Sequence, residues 1–304
     1  MSNQNLISKR TLSFLSVGLA LSCCILTKTA YGQQTQVTKV AFEKDKFNRI
    51  FMPVKIDKDT ITLLFGTYSK TLRVTPYFME TRELYPSGDF LTQTDKEGRR
   101  KGRMVFYMPK VEVGNVKFKN EETIVNFDFP DSVATGSTGT MFVYQYNWRI
   151  DNDRNEISIS KSPFTPNQPF TTIHYKNNSY PIVPVEIAGI KDDFAVDFGS
   201  GTNIQVSTTT ALGKELIASY NLKPTLTLTT NVHRRKLTDT LYEVEIPSLQ
   251  FNGIELKNQK VTLSSVLPRN TVGSAFLGKY NIILNNSKKR KIDNVIILEK
   301  RLVD

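Results

Sequence analysis

The sequence predicts an all-β protein of two similar lobes with one or two short helices. Three observations carry that prediction. Apolar and polar residues alternate along most of the chain, helical spacing is scarce, and the second half can be laid on the first. Phe51–Ile56, Val105–Met108, Glu156–Ser160 and Tyr242–Ile246 are short runs rich in β-branched and aromatic residues. Clusters of Asn, Gly, Asp and Lys separate them, as turns separate strands. Helical spacing is best in Thr208–Leu222, where Ala211, Leu212, Leu216 and Ile217 share a face behind a Ser/Thr cap. Thr75-Pro76 offers a shorter helix start, with Pro at the first helical position.

The internal match runs in order. Pro53-Val54-Lys55-Ile56 falls on Pro184-Val185-Glu186-Ile187. Without a gap, Gly66-Thr67-Tyr68-Ser69-Lys70-Thr71 then falls on Asp197-Phe198-Gly199-Ser200-Gly201-Thr202. Arg99-Arg100-Lys101 with Tyr107 falls on Arg234-Arg235-Lys236 with Tyr242, and Val116–Asn120 on Ile254–Asn258. Gly139, Phe142, Tyr146 and Asn147 fall on Gly273, Phe276, Tyr280 and Asn281, which sets Trp148 on Ile282 and reads it as core. Short strand segments resemble one another by chance, but five matches in one order do not arise that way. Three prolines within Lys161–Pro169 break any strand or helix and mark the seam. The lobes are therefore 33–162 and 163–304, each of ordinary domain size.

Residues 1–32 read as a secretory leader: Lys9 and Arg10, an apolar run from Leu12 to Leu26, and Ala30-Tyr31-Gly32 as a small-x-small cleavage site. Lipid attachment at Cys24 is a competing, weaker reading. The run is short for a bilayer span, and no later stretch is apolar enough for one. An exported protein, periplasmic or extracellular, is expected. The chain has only two histidines, His174 and His233, and only two cysteines, Cys23 and Cys24, both in the leader, so no metal or other cofactor is expected. The net charge of +11 is spread along the chain, and no face interleaves basic with aromatic residues, so no nucleic-acid partner is expected.

The chemistry-bearing segment is Phe194-Ala195-Val196-Asp197-Phe198-Gly199-Ser200-Gly201-Thr202, followed at a distance by Gly273-Ser274-Ala275-Phe276-Leu277. An acid and a Gly-rich turn at the end of an apolar strand, then an apolar-Gly segment, resemble the retropepsin and pepsin-like aspartic peptidases. The likeness is to their secreted bacterial two-lobed branch. It implies two barrel-like lobes about a pseudo-twofold axis, a hairpin flap on the cleft, and two facing carboxylates that share a proton and activate a water.

The chain departs from that pattern where it matters most. Gly66 stands at the first-lobe acid position, Phe198 replaces the hydroxyl residue after Asp197, and Tyr68 replaces a glycine. Thr67, Ser69, Gly199, Ser200 and Thr202 keep the turn chemistry, and Asp57 and Asp59 come too early in the chain to substitute for Gly66. Asp197 is therefore catalytic only if a second carboxylate comes from elsewhere.

Three readings follow: a catalytically degenerate protein that binds an extended peptide or protein between its lobes, an aspartic endopeptidase completed by a homodimer, or an enzyme of another class. Nothing in the residues favours the third. The sequence leaves the oligomeric state open. Arg99, Arg100, Lys101, Arg234, Arg235 and Lys236 are binding candidates for acidic partners, against a plainer reading as solvated hairpin tips. Lys288–Lys291 reads as a solvated turn, and His174 and His233 as surface or edge residues.

Overall fold

The computed structural model describes residues 36–82, 84–94, 100–125, 134–175, 180–232, 235–286 and 294–302. Residues 1–35, where the sequence suggests a leader, and Arg99, His233, Arg234 and Lys288–Lys291 lie outside them. Val37–Asp304 form one compact unit.

The first half runs β1 (Thr38–Ala41), β2 (Glu43–Lys44), β3 (Ile50–Ile56), β4 (Asp59–Leu64), β5 (Leu72–Val74), α1 (Pro76–Glu80), β6 (Tyr85–Thr94), β7 (Arg100–Val113), β8 (Val116–Val125), β9 (Gly136–Ser137), α2 (Thr140–Val143), β10 (Asn147–Asp151) and β11 (Glu156–Ser160). The second half repeats it: β12 (Phe170–Tyr175), β13 (Ile182–Ile187), β14 (Ile190–Asp197), β15 (Ile204–Ser207), α3 (Ala211–Ser219), β16 (Leu226–Val232), β17 (Arg235–Phe251), β18 (Ile254–Ser264), β19 (Thr271–Gly273), α4 (Ser274–Leu277), β20 (Tyr280–Asn285) and β21 (Asn294–Lys300).

Alternation does what it predicts. Ile50, Met52, Val54 and Ile56 of β3 are buried and alternate with more exposed residues, as Val183, Val185 and Ile187 of β13 do. The expected helices form with their expected caps. Thr75 Oγ1 accepts from Phe78 N, with Pro76 at the first position, and Thr210 Oγ1 accepts from Gly213 N.

Each half closes a six-stranded barrel. In the first the order is β3-β4-β9-β5-β8-β7, with β7 returning to β3; in the second it is β13-β14-β19-β15-β18-β17, with β17 returning to β13. The duplication reaches the backbone torsions. Asp57 (φ 55°) and Ala188 (φ 52°) turn equivalent hairpins, and Asn120 (φ 53°) and Asn258 (φ 52°) sit at equivalent points of β8 and β18. Non-glycine residues rarely take that left-handed conformation, so matched pairs are informative.

A third, six-stranded antiparallel sheet joins the halves in the order β1-β11-β10-β20-β21-β12, three strands from each. Trp148 pairs with Leu284, Arg149 with Ile283 and Ile150 with Ile282. Exchange of the halves maps this register onto itself, so the pseudo-twofold axis passes beside the Arg149–Ile283 pair. Two asparagine clasps obey the same symmetry. Asn286 N donates to Asn147 Oδ1 (2.8 Å) and Asn152 N to Asn281 Oδ1 (2.7 Å). Asn286 Nδ2 donates to Tyr146 O (2.6 Å) and Asn152 Nδ2 to Tyr280 O (2.5 Å).

Removal of either buried acceptor leaves a backbone N–H without its partner, at a cost of about 1–3 kcal/mol. Asn147→Ala and Asn281→Ala are expected to lower stability by similar amounts in urea unfolding. Asn281→Ala should be somewhat the larger, because Asn281 Nδ2 donates to the charged Asp153 carboxylate (2.8 Å) whereas Asn147 Nδ2 donates to the neutral Lys161 O (2.9 Å).

The proline-rich seam is fastened to this sheet. The buried Glu299 carboxylate accepts from Asn167 N, from Gln168 N (2.7 Å) and from Arg149 Nη2 (2.9 Å). A charge buried this deeply is tolerated because it is paired and fully hydrogen-bonded. Trp148, fully buried, donates from Nε1 to Val143 O (2.6 Å) and packs among Phe65, Phe118 and Phe142, the core position its sequence match gave it.

The hairpins β6–β7 and β16–β17 extend beyond the barrels, and one sequence match fails here. Phe106 lies opposite Thr123 and Val244 opposite Val261, so the counterpart of Tyr107 is Glu245, not Tyr242. The second arm is longer. Core packing fixes the register inside a barrel, but outside it arm length is free, and the two tyrosines matched by coincidence.

Candidate functional site

The turns that follow β4 and β14 meet between the lobes, and three independent contacts fix their equivalence. Leu64 pairs in parallel with Ser137, as Ala195 does with Thr271. Thr140 N donates to Ser69 O (2.8 Å), as Ser274 N does to Ser200 O (2.7 Å). A Cβ on Gly139 would stand 2.4 Å from Thr71 O, and one on Gly273 would stand 2.5 Å from Thr202 O, so both helix starts require glycine. Ser69 thus corresponds to Ser200, and Gly66 to Asp197.

Thr67 Oγ1 crosses between the lobes and donates to Val196 O at 2.9 Å, a buried bond to the residue before Asp197. The reciprocal bond cannot form, because Phe198 has no hydroxyl. Its ring instead lies edge-on to Phe65 (centroids 5.6 Å apart), which is edge-on to Trp148 (5.5 Å). The interface thus has a hydroxyl tie on one side and aromatic packing on the other. Thr138 Oγ1 clasps the backbone of Gly66, accepting from its N (2.8 Å) and donating to its O (3.0 Å).

Asp197 is half-buried, and its Oδ1 accepts from Gly199 N at 2.8 Å. Burial pushes its carboxyl above the ordinary range, against the pull of the Gly199 N–H, the Arg73 charge and the Ser200 N–H. A raised folded pKa contributes stability below the ordinary carboxyl range that is lost as pH rises through the folded value. Asp197→Asn is therefore expected to raise the melting temperature at neutral pH. The gain should shrink towards zero in acid, as thermal melts across a pH series would read.

Arg73, on β5, donates from Nε to Ser69 Oγ (2.9 Å), which itself donates to Thr71 O (3.0 Å). Ser200 Oγ and Thr202 Oγ1 lie 2.9 Å apart, and Ser274 Oγ stands 2.8 Å from both Ser200 O and Phe47 O. Tyr68 takes the place of Gly199 in the first lobe. Its ring stacks on Tyr180 (5.5 Å, 21°), with the Arg269 guanidinium 4.5 Å above Tyr180.

The structure sets the turn that holds Gly66, Thr67 and Ser69 against the turn that holds Asp197, Gly199, Ser200 and Thr202. Arg100 and Lys101 fall at the tip end of β7, opposite Thr94 and Gln93. Arg235 and Lys236 fall at the tip end of β17, opposite Val232 and Asn231. Tyr85 and Phe90 are exposed along the first hairpin. Sequence reasoning missed Arg73, Thr138 and the Tyr68–Tyr180 stack. Arg73 pairs with Ser137 as Gln205 pairs with Thr271, so a cation stands in the first lobe where the second has a neutral residue, a difference that only the strand register reveals.

Among the described residues no His, Cys, Asp and Glu cluster could hold a metal ion, and no helix is long and apolar enough to cross a membrane. A polar hollow of about 370 Å³, lined by Pro184, Glu186, Lys191, Gln250, Asn252 and Gly253, opens towards the opposite end of β14 from Asp197. No family model and no curated protein matches the chain.

Proposed function

We propose that this is an exported, aspartic-peptidase-like protein that has kept the scaffold and lost the chemistry, and that it holds an extended peptide or protein segment between its lobes. The observation that carries the reading is Gly66 at the twofold counterpart of Asp197. A lone carboxylate has no partner with which to share a proton and no second group to protonate a substrate carbonyl. Loss of a general acid or base costs about 10²–10⁴ in rate. Arg100, Lys101, Arg235 and Lys236, towards the ends of the two hairpins, are candidates to attract acidic ligands.

A homodimer that brings two copies of Asp197 together is the second reading. Against it stands the inter-lobe contact itself, since Thr67 is bonded to Val196 O and Gly66 lies against Gly199. The first lobe occupies the face such a dimer would need.

The test is incubation of the purified chain from Gln33 with a diverse peptide mixture from acid to neutral pH, beside Asp197→Asn. Peptides retained by both proteins and cleaved by neither are expected. Cleavage that Asp197→Asn abolishes would overturn the reading, and a fall in that activity on dilution would point to the dimer.

A further inference from the structure

We propose that the outer edge of β16 is a dimer surface, where two copies of this chain add their edge strands antiparallel to form one continuous sheet. The inference is separate from the peptide-binding reading and does not rest on it.

An exposed sheet edge carries unpaired N–H and C=O groups that another strand can take up, so proteins usually guard such edges. The other edges here are guarded. β2 is two residues long and both are charged, Glu43 and Lys44. β1 presents Lys39, ion-paired with Glu156 (2.9 Å). On β12 the Thr172 carbonyl accepts from Asn252 Nδ2 (2.7 Å). β6, the twofold counterpart of β16, holds Pro86, Gly88 at φ 87° and Asp89, and its register against β7 shifts between Pro86 and Phe90.

β16 has none of these devices. Leu226-Thr227-Leu228-Thr229-Thr230-Asn231-Val232 contains no charge and no proline. The whole strand pairs with β17 in unbroken register, from Leu226 opposite Leu241 to Val232 opposite Arg235. No second strand pairs with β16 among the described residues, and Thr225, Leu226, Thr227 and Leu228 are all exposed. Leu226 is 48% exposed and Leu228 41%, although burial of either side chain would be favourable. One lobe protects its arm and the other leaves it open.

A second copy of the same strand fits that edge. Set antiparallel about Thr229, Leu226 falls opposite Val232 of the second copy, Thr227 opposite Asn231, and Leu228 opposite Thr230. Alternation then gathers Leu226, Leu228, Thr230 and Val232 of each copy on one face, and Thr227, Thr229 and Asn231 on the other. No charge is set against another within the pairing. The antiparallel direction also runs the Arg235-Lys236 end of each arm towards the root of the other, where Glu243 and Glu245 are exposed beside Lys223. This dimer leaves the Thr67 bond to Val196 O in place, so it is not the one that would join two copies of Asp197.

Sedimentation velocity of the chain from Gln33, run from low-micromolar to near-millimolar concentration, tests the pairing. Wild type would be compared with Leu228→Lys, Leu228→Glu, an equal mixture of those two, and Phe90→Lys on the guarded edge. Melting curves would confirm folding. In the proposed register the two copies of Leu228 are diagonal neighbours, about 7–8 Å apart and within reach of long side chains.

The wild type is expected to pass from monomer to dimer as concentration rises. Each Leu228 variant alone should raise the dimer dissociation constant at least about tenfold, because like charges then meet, and the mixture should return it to within about threefold of the wild type. Phe90→Lys should match the wild type. A wild type that stays monomeric at every concentration would overturn the proposal. So would a dimer that Leu228→Lys leaves unchanged, one that the mixture fails to restore, or one that Phe90→Lys weakens equally. A monomer that instead binds a fluorescein-labelled heptapeptide of alternating Thr and Val, with that binding lost in Leu228→Lys, would overturn self-pairing and give the edge to a strand of another protein.

Discussion

Gly66→Asp combined with Arg73→Gln is expected to turn this chain into a slow endopeptidase at acidic pH. On the peptidase-derived reading the scaffold lacks one carboxyl and has gained one cation, and the double variant reverses both changes. The backbone there tolerates a Cβ, which would make only ordinary contacts with Thr138 O and Gly199 Cα, and Thr138 holds the Gly66 backbone through its N–H and its carbonyl. The inter-lobe bond from Thr67 to Val196 O that sets the two turns against each other is already present.

Gly66→Asp alone should gain little. Arg73 beside two carboxylates would favour both ionised forms, and the chemistry needs one shared proton between them. With the cation removed, peptide cleavage should rise at least about 10²-fold over the wild type, the scale of one restored acid–base group. Cleavage sites in a mixed peptide pool, read by mass spectrometry, give the measurement, and adding Asp197→Asn should abolish the gain. A folded double variant with no activity at any pH would mean that the turns are not poised as facing catalytic loops, and the proposed descent would lose its main support.

Much of this arrangement is legible in the sequence because the lobes are copies. Alternation gave the strands, Thr75 and Thr210 gave the helix starts, and the ungapped match of Gly66–Thr71 to Asp197–Thr202 survives as hydrogen-bonded equivalence in three dimensions. What the repeat does not contain, the sequence hides. The joining sheet pairs residues more than a hundred positions apart, and no local pattern announces that Asn152 and Asn286 reach across to clasp the other half. The basic hairpin tips look alike, yet their arms differ in length because no core packing holds their register. No local pattern marks Arg73, because its nearness to the Asp197 turn depends on the approach of the two lobes.

Phe198→Thr puts back the hydroxyl residue that the resemblance expects after Asp197, yet it is expected to destabilise the protein by about 2–4 kcal/mol. The gain is limited to one neutral hydrogen bond, worth about 1 kcal/mol at best. The loss is larger. The Phe198 ring is 1% exposed and edge-on to Phe65, which carries the core through to Trp148, so its removal opens a cavity where the lobes meet. Thr67→Val is the complementary test. It keeps shape but withdraws the donor from the Val196 carbonyl, at about 1–3 kcal/mol. Urea unfolding of both variants and of the double variant would rank the two ties and give their coupling. If Phe198→Thr were neutral or stabilising, the hydroxyl would be the interface's native tie and the aromatic continuity incidental. If it is the costlier substitution, the aromatic core has taken over from the reciprocal bond. The two turns are then held together by packing on one side and a single hydroxyl on the other.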